Sequence, residues 1–245
     1  MSIVGGLDIH RKQLTFDYLD TVTGEVQRGQ VTPADRVHLR AWLARFAGRH
    51  DVAFALEGCT GWRYVTEELC AAGYGAHVGE PADTAAARGR KRHAKTDKTD
   101  SAHLRRLLAD GRLPECWIPP GSILECRALL ELYHDLRAEH TAWIQRIHAV
   151  LFHQGAPVFH DLGRTDATAE LAALAREHLS PAGQLQVATA LDMLTCLEGH
   201  LDQLRHQLRD VAAHLTGAKT LAARLYGVGP VTALAMTCWL AGAGR

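Results

Sequence analysis

Two apolar runs and two alternating segments in the first third of the chain predict a β-sheet. Residues 3–9 and 52–57 are largely apolar, as in buried strands, and each run ends at or beside an acid. Residues 13–18 alternate between polar and apolar types, and residues 25–31 follow a Thr-Gly turn, which predicts an antiparallel meander of three strands. A fifth, short strand is expected at residues 74–78.

Helical spacing of apolar residues separates these strands. One helix is predicted to open at Pro33 and close at Gly48, and a second is predicted from about Trp62 to Ala72, before Gly73. The order is three strands, helix, strand, helix, strand, helix. This order predicts an α/β domain with a ribonuclease-H-like (RuvC-like) layout over residues 1–120.

The pattern becomes helical after Pro119-Pro120, and residues 121–218 are expected to form a helical, coiled-coil linker and dimerisation region. The last long helix carries apolar residues at alternating spacings of three and four, which is a heptad seam. Two arrangements bury such a seam: a helical hairpin within one chain, or a coiled coil between chains, which the pattern slightly favours. The seam consists of Leu194, Leu197, Leu201, Leu204, Leu208, Val211 and Leu215.

Charge is unevenly distributed, although 27 basic and 27 acidic residues cancel over the 245 residues. Zero net charge would by itself argue against a generally basic nucleic-acid-binding protein. Between residues 85 and 106, however, eight basic residues face only two acids, a local net charge of +6. A solvated loop is one interpretation of this basic segment, and a clamp for phosphate backbones is the one that its density favours.

Sequence signals also limit where the protein works and which metals it uses. The N-terminus has no basic region followed by an apolar run, and no stretch approaches the roughly 20 apolar residues of a membrane span. The six cysteines form no Cys-x-x-Cys pair, and the 15 histidines form no His-Glu-x-x-His. We therefore expect a cytoplasmic protein with reduced thiols, without zinc and without membrane contact.

Four acids occupy positions that could together hold metal ions for phosphodiester chemistry. Asp8 and Glu57 are expected at the carboxyl ends of two central strands, and Asp97 and Asp100 lie three residues apart at the start of a helix. Each acid has an ordinary structural explanation, as a turn residue or a helix N-terminal acid. Together they offer the hard oxygen ligands that hold two Mg²⁺ ions about 4 Å apart in phosphodiester-cleaving sites.

A Gly-x-Gly-Pro turn near the end of the chain is a second candidate for phosphate contact. Gly227 and Gly229 stand between two helical stretches, as in helix-hairpin-helix units that present backbone N–H groups to phosphate. A tight turn between two helices requires the same glycines, so both interpretations stay open.

Three blocks of the sequence resemble the signature blocks of the DEDD transposases, which are insertion-sequence enzymes with a RuvC-like nuclease domain. All three occur in order with their acids in place, and the resemblance extends through the helical half of the chain. The blocks are Gly6-Leu7-Asp8-Ile9-His10-Arg11-Lys12, Glu57-Gly58-Cys59-Thr60-Gly61 and Lys95-Thr96-Asp97-Lys98-Thr99-Asp100-Ser101-Ala102.

The resemblance implies a function and a set of partners. Asp8, Glu57, Asp97 and Asp100 would bind Mg²⁺, with Mn²⁺ as the alternative ion, and act on DNA during transposition. The coiled coil would assemble a homodimer or a higher homo-oligomer. Some members of the family use a structured guide RNA, and here the basic side chains would contact nucleic acid: Arg88, Arg90, Lys91, Arg92, Lys95 and Lys98.

The family pattern continues beyond the end of this sequence. In the family, the Gly-Val-Gly-Pro turn opens a second domain with a serine nucleophile, so we expect residues 219–245 to be the incomplete start of that domain. No serine here matches the nucleophile, which predicts either a fragment or a decayed copy. Two alternatives to a transposase remain: a metal-dependent nuclease of branched DNA, and a non-catalytic dimeric relic that binds DNA or RNA.

Overall fold

The computed structural model describes residues 1–87, 97–160 and 167–240, with only the backbone of residues 97 and 98. The chain divides into two units, Met1–Ile118 and Pro119–Arg245. Each unit has its own secondary structure and buried core.

A mixed sheet of five strands forms the framework of the first unit. Its strands are β1 (Ile3–Ile9), β2 (Leu14–Asp20), β3 (Val26–Val31), β4 (Val52–Glu57) and β5 (Gly75–Gly79). They lie in the order β3-β2-β1-β4-β5. The first three strands pair antiparallel, and β4 pairs in parallel with β1 on one side and β5 on the other.

Four α-helices accompany the sheet in the described part of this unit. They are α1 (Arg36–Leu43), α2 (Trp62–Ala71), α3 (Pro81–Ala86) and α4 (Asp97–Ala109). The helix predicted to open at Pro33 begins three residues later, because the Asp35 carboxylate caps it by accepting a hydrogen bond from the His38 N–H. A short 3-10 turn, Ala44–Phe46, follows α1 and ends the helical segment before Gly48.

One face of the sheet is covered by large aromatic and aliphatic side chains. The Trp42 ring, on α1, lies 4.9 Å from the ring of Phe16 on β2 and 5.3 Å from the ring of Phe54 on β4. Leu39 and Leu69, from α1 and α2, are fully buried in the same cluster. Burial of these rings supplies much of the apolar stabilisation of the unit.

Small side chains line the other face, and α4 packs directly on them. Val4, Ala53 and Ala55 form a second buried cluster with Leu104 and Leu108 of α4. Because the sheet side chains are small here, the helix backbone comes close to the sheet. The mixed sheet with helices on both faces is compatible with the α/β nuclease-like domain that the sequence predicts.

The second unit is helical. Its helices in the described residues are α5 (Gly121–His153), α6 (Ala167–His178), α7 (Pro181–His214), α8 (Thr216–Arg224) and α9 (Pro230–Leu240). Ser180 caps α7 by accepting a hydrogen bond from the Gly183 N–H, and Pro181 occupies the first helical turn, where no intrahelical N–H bond is lost.

The heptad leucines of α7 are buried within the single chain. Five of them, from Leu194 to Leu208, are at most 7% exposed. The two long helices run antiparallel, since His140 of α5 contacts Glu198 at 3.3 Å, whereas Gln154 at the end of α5 accepts a hydrogen bond from the Ser180 N–H at 2.7 Å. The seam therefore forms the hairpin within one chain, and assembly of several chains stays a prediction.

Two further observations bear on the sequence predictions. No helix within residues 1–87, 97–160 and 167–240 is long and apolar enough to cross a membrane. All six cysteines lie within these ranges and are free thiols.

Candidate active site

Asp8 and Glu57 lie side by side at the carboxyl ends of β1 and β4, which are neighbouring inner strands. We call this end of the sheet the acidic edge. Leu7 pairs with Leu56 in the parallel β1–β4 ladder, so the next residue of each strand is one of the two acids. Because side chains alternate along a strand, both carboxylates lie on the face opposite the buried leucines, which is the face that α4 covers. Both acids are half-buried.

Helix α4 directs its acidic end toward the same edge. Ser101 and Arg105 approach β1 at Gly6, while Leu108, further along the helix, packs with Val4 nearer the start of the strand. The helix therefore runs antiparallel to β1. Asp100, one residue before Ser101, consequently lies toward the Asp8 end and is only 6% exposed.

The close approach of α4 depends on the absence of a side chain at Gly6. A Cβ atom there would lie 2.7 Å from the Arg105 backbone nitrogen and 3.0 Å from the Leu104 Cβ, and closer still to the Ser101 carbonyl oxygen. Atoms essentially never approach this closely, so only glycine allows the observed packing. Gly6 therefore determines how near the helix acids come to the strand acids.

A threonine on α3 contacts the Glu57 carboxylate. The Thr84 hydroxyl is fully buried and lies 3.1 Å from Glu57 Oε1, while the carbonyl oxygens of Glu80 and Pro81, each at 3.0 Å, compete for its single proton. The His103 ring, on α4, contacts the Thr84 carbonyl oxygen with its Nε2 at 3.0 Å. The two contacts connect α4 through α3 to the carboxyl end of β4.

The turn that follows Glu57 carries a thiol close to the strand acids. Gly61 has a φ of +100°, a left-handed conformation that favours glycine and begins α2. Cys59, within this turn, has its pKa raised first by burial and then by the negative charges of Asp8 and Glu57. The raised pKa favours the protonated thiol at neutral pH.

A buried ion-pair cluster that the sequence analysis missed fixes the other side of α4. The Asp17 carboxylate on β2 is 1% exposed and accepts hydrogen bonds from Arg28 Nε at 2.7 Å and from Arg105 Nε. Two guanidinium groups therefore share one carboxylate. The sequence signal for this cluster is the alternation of polar and apolar residues in β2, but such alternation ordinarily indicates a strand with one solvated face.

Thr15 is a second missed residue beside the acids. It is 2% exposed and pairs with Asp8 across the antiparallel β1–β2 ladder, on the same face of the sheet. Its hydroxyl oxygen has no hydrogen-bond partner among the described residues. An unpaired buried hydroxyl costs about 1–3 kcal/mol, and Thr15 is thus a stability cost located next to the candidate site.

The predicted nucleic-acid-binding side chains lie outside the part that can be described. Arg88, Arg90, Lys91, Arg92 and Lys95 fall between the described ranges, and only the backbone is described for Lys98 and for Asp97, the first residue of α4. The segment contains eight basic residues, and the side chains of two of them, Arg105 and Arg106, are described. Both make contacts within the first unit: Arg105 binds Asp17, and Arg106 donates a hydrogen bond to the Ala102 carbonyl oxygen.

The Gly-x-Gly-Pro turn connects α8 to α9. Gly227 has a φ of +78°, and Pro230 is the first residue of α9. The Ala233 N–H donates to the Gly229 carbonyl oxygen, as expected at a helix start. Tyr226, in the same turn, is fully exposed.

Comparison with known proteins identifies the family. A model of the IS110-type DEDD transposases, described as transposase, matches residues 5–154, which is more than half of the chain. The chain belongs to this transposase family. No curated protein matches it. Membership confirms the resemblance drawn from the three sequence blocks and assigns a general function in DNA transposition, with DNA as the substrate.

The transposase's acids are the type of ligand that divalent cations require, and its family typically uses such ions. Carboxylate oxygens suit Mg²⁺ and Mn²⁺, and Asp100, on the N-terminal turn of α4, lies toward the end of the sheet where Asp8 and Glu57 are found. In the part of the chain with described side chains, which excludes that of Asp97, no three His, Cys, Asp or Glu side chains converge closely enough to hold an ion. The donor chemistry is thus suitable, and the shared metal site stays a proposal.

Proposed function

We propose that this transposase cuts and joins DNA strands at a divalent-metal site formed by Asp8, Glu57, Asp97 and Asp100. The supporting observation is the position of Asp8 and Glu57 on neighbouring parallel strands, beneath the acidic end of a helix that Gly6 allows to approach. Ligands in open α/β sheets bind at the carboxyl ends of the strands, where this acidic edge lies.

The residues around the acids have supporting roles in this proposal. Bound Mg²⁺ or Mn²⁺ would activate the attacking oxygen and stabilise the leaving oxygen of the phosphodiester. The buried Thr84 hydroxyl packs against Glu57 at Oε1, and the Asp17–Arg105 ion pair holds α4 on the sheet. Both contacts reduce the movement of the carboxylates, which lowers the reorganisation that binding of a metal ion and substrate would require.

Nucleic-acid binding in the proposal rests on charge. The basic segment, residues 85–106, carries a net charge of +6 and extends into α4. Its side chains are proposed to contact the DNA backbone and a guide RNA. The residues are Arg88, Arg90, Lys91, Arg92, Lys95 and Lys98. The backbone N–H groups at Gly227 and Gly229 are proposed to contact phosphate at the start of α9. Assembly into a homodimer or higher homo-oligomer is proposed through surfaces of the helical unit.

Single substitutions of the four acids test the metal site. The variants are Asp8→Asn, Glu57→Gln, Asp97→Asn and Asp100→Asn, and each should abolish Mg²⁺-dependent cleavage of branched DNA by the purified chain. Each should also reduce Mg²⁺ binding measured by titration calorimetry. Asp110→Asn is the matched control, because Asp110 is an exposed acid immediately after the opposite end of α4.

Two results would contradict the proposal. Cleavage that persists in all four variants would show that the acids do not act together. Equal loss of cleavage in the Asp110→Asn control would show that charge alone, and not this set of ligands, determines activity.

A further inference from the structure

A cavity of about 400 Å³ opens on the face of the sheet that carries the acids. It lies over β2 and β3, beside the N-terminal half of α4. Its volume falls within the range of small-molecule sites in proteins. The lining residues are Thr15, Phe16, Arg28, Gly29, Gln30 and Ser101.

The cavity is one strand away from the proposed metal site. Thr15 pairs with Asp8 on one side and with Gln30 on the other, so these three residues form a single row across β1, β2 and β3. Residues directly opposite each other in antiparallel strands have neighbouring side chains on one face. A ligand that fills the cavity would therefore reach the immediate surroundings of Asp8.

Arg28 is the charged residue among those that line the cavity, and it belongs to a buried ion-pair cluster with Asp17 and Arg105. Asp17 neutralises only one of the two guanidinium groups that bind it, which leaves the Arg28–Asp17–Arg105 cluster with a net charge of +1. The Arg28 side chain is 61% exposed, and only its Nε binds Asp17. Its terminal N–H groups make no hydrogen bond to any described residue and remain available for an anion.

An unpaired hydroxyl lies just beneath the wall of the same cavity. The Thr15 hydroxyl is buried and without a partner among the described residues. Buried polar groups in native proteins are nearly always hydrogen-bonded, and an exception calls for an explanation such as a bound ligand, ion or water. Rotation of the Thr15 side chain toward the cavity would expose this hydroxyl to a ligand oxygen, which would provide the missing partner.

We infer that this cavity binds one nucleotide of the DNA strand adjacent to the phosphodiester that the acids handle. The nucleotide's phosphate would accept hydrogen bonds from Arg28, and the Thr15 hydroxyl would donate to an oxygen of the same nucleotide. This inference rests on the proposed function, because the acids define which bond is handled. The ion pair with Asp17 holds the guanidinium in position before binding.

Nuclear magnetic resonance with a small probe tests the cavity separately from catalysis. Thymidine 3′,5′-bisphosphate, added without a divalent metal, should shift the backbone amide signals of Gly29, Gln30 and Ser101. Arg28→Gln should weaken this binding at least tenfold, because a charge-assisted hydrogen bond is lost. Thr15→Val should weaken it several-fold.

The Thr15→Val variant has a second, diagnostic readout. Valine has nearly the same shape and removes a hydroxyl that has no partner to lose, so the thermal midpoint should be unchanged or higher than that of the wild type. Weaker nucleotide binding together with undiminished stability would show that the hydroxyl serves a ligand.

Arg49→Gln is the matched control for Arg28→Gln. Arg49 also binds an aspartate of β2, with its Nη1 3.0 Å from Asp20 Oδ2, but Asp20 is at the far end of the strand. The control should bind the bisphosphate as the wild type does. Wild-type affinity in both cavity variants, or equal weakening in the control, would overturn the inference.

The outcomes separate the inference from the proposed function. Shifts confined to the cavity amides, in a wild-type chain that cleaves no DNA with Mg²⁺, would support the cavity and refute the metal-site proposal. Mg²⁺-dependent cleavage without any shift at millimolar bisphosphate would support the metal site and refute the nucleotide cavity.

Discussion

Replacement of Gly6 by alanine should displace α4 and with it the helix acids. The new Cβ would lie 2.7 Å from the Arg105 backbone nitrogen, whereas ordinary contacts begin near 3.4 Å. The helix must therefore retreat by at least about 0.7 Å, since the obstructing atoms belong to its backbone and cannot rotate away. Overpacking of this kind typically costs about 1–3 kcal/mol.

Stability and activity should respond together in the Gly6→Ala variant. For a chain of this size, each kcal/mol lowers the thermal midpoint by about 2–4 °C, which differential scanning calorimetry detects. Displacement of catalytic groups by about 1 Å can reduce activity about 100-fold. We therefore expect that, at a temperature where the variant is still folded, its Mg²⁺-dependent cleavage rate is far below that of the wild type.

Gly5→Ala is the control for the neighbouring position. Its Cβ would overlap the Phe54 ring on the opposite face of the sheet, so it should lower stability without moving α4. Comparable residual activity in the two folded variants, or a Gly6→Ala chain as stable and active as the wild type, would refute the argument that Gly6 sets the position of the helix acids.

Three further substitutions examine the contacts that hold each unit. Asp17→Asn should cost about 3–5 kcal/mol in the free energy of unfolding by urea, because it leaves the largely buried Arg105 without its counter-ion; a loss below 1 kcal/mol would contradict a buried pair. Hydrogen bonds from Arg40 and then from Arg36 lower the pKa of Glu68, against the opposing effect of burial. The ionised Glu68 therefore stabilises the fold fully above its unfolded pKa of about 4.3, and this stabilisation is lost as the pH falls through the lower pKa of the folded state. Thermal midpoints from pH 6 to pH 3 should accordingly fall less steeply in Glu68→Gln, and parallel curves would disprove the linkage. Leu208→Ala should cost about 2–5 kcal/mol in the same urea assay, since this side chain is fully buried in the hairpin, and an unchanged value with a smaller sedimenting mass would instead place the seam between chains.

The positions of the strand acids could be predicted from the sequence because local patterns define them. The apolar runs at residues 3–9 and 52–57 correspond to β1 and β4, and their acids are adjacent because the strands pair in parallel. The predicted start of a helix at Asp97 likewise agrees with α4. These features depend on side-chain periodicity and on helix N-terminal preferences, both of which act over a few residues.

The surroundings of the acids could not be predicted in the same way. Thr15 and Asp17 alternate with Leu14 and Phe16, a pattern that indicates a solvated outer face in an isolated meander. Helix α4, which begins 80 residues later, covers that face and buries both polar side chains. Their roles follow from a tertiary contact that no local pattern encodes.

The same long-range contact orders the assembly of the site during synthesis. Asp17 and Arg105 are 88 positions apart, and the ion pair between them can form only after α4 has left the ribosome. Until then, β1, β2 and β4 can pair, but the face with Asp8 lacks both its cover and the helix acids. Contacts of such sequence separation form slowly, because a long loop must close first. A nascent chain therefore carries an incomplete acidic edge until most of the first unit has been made.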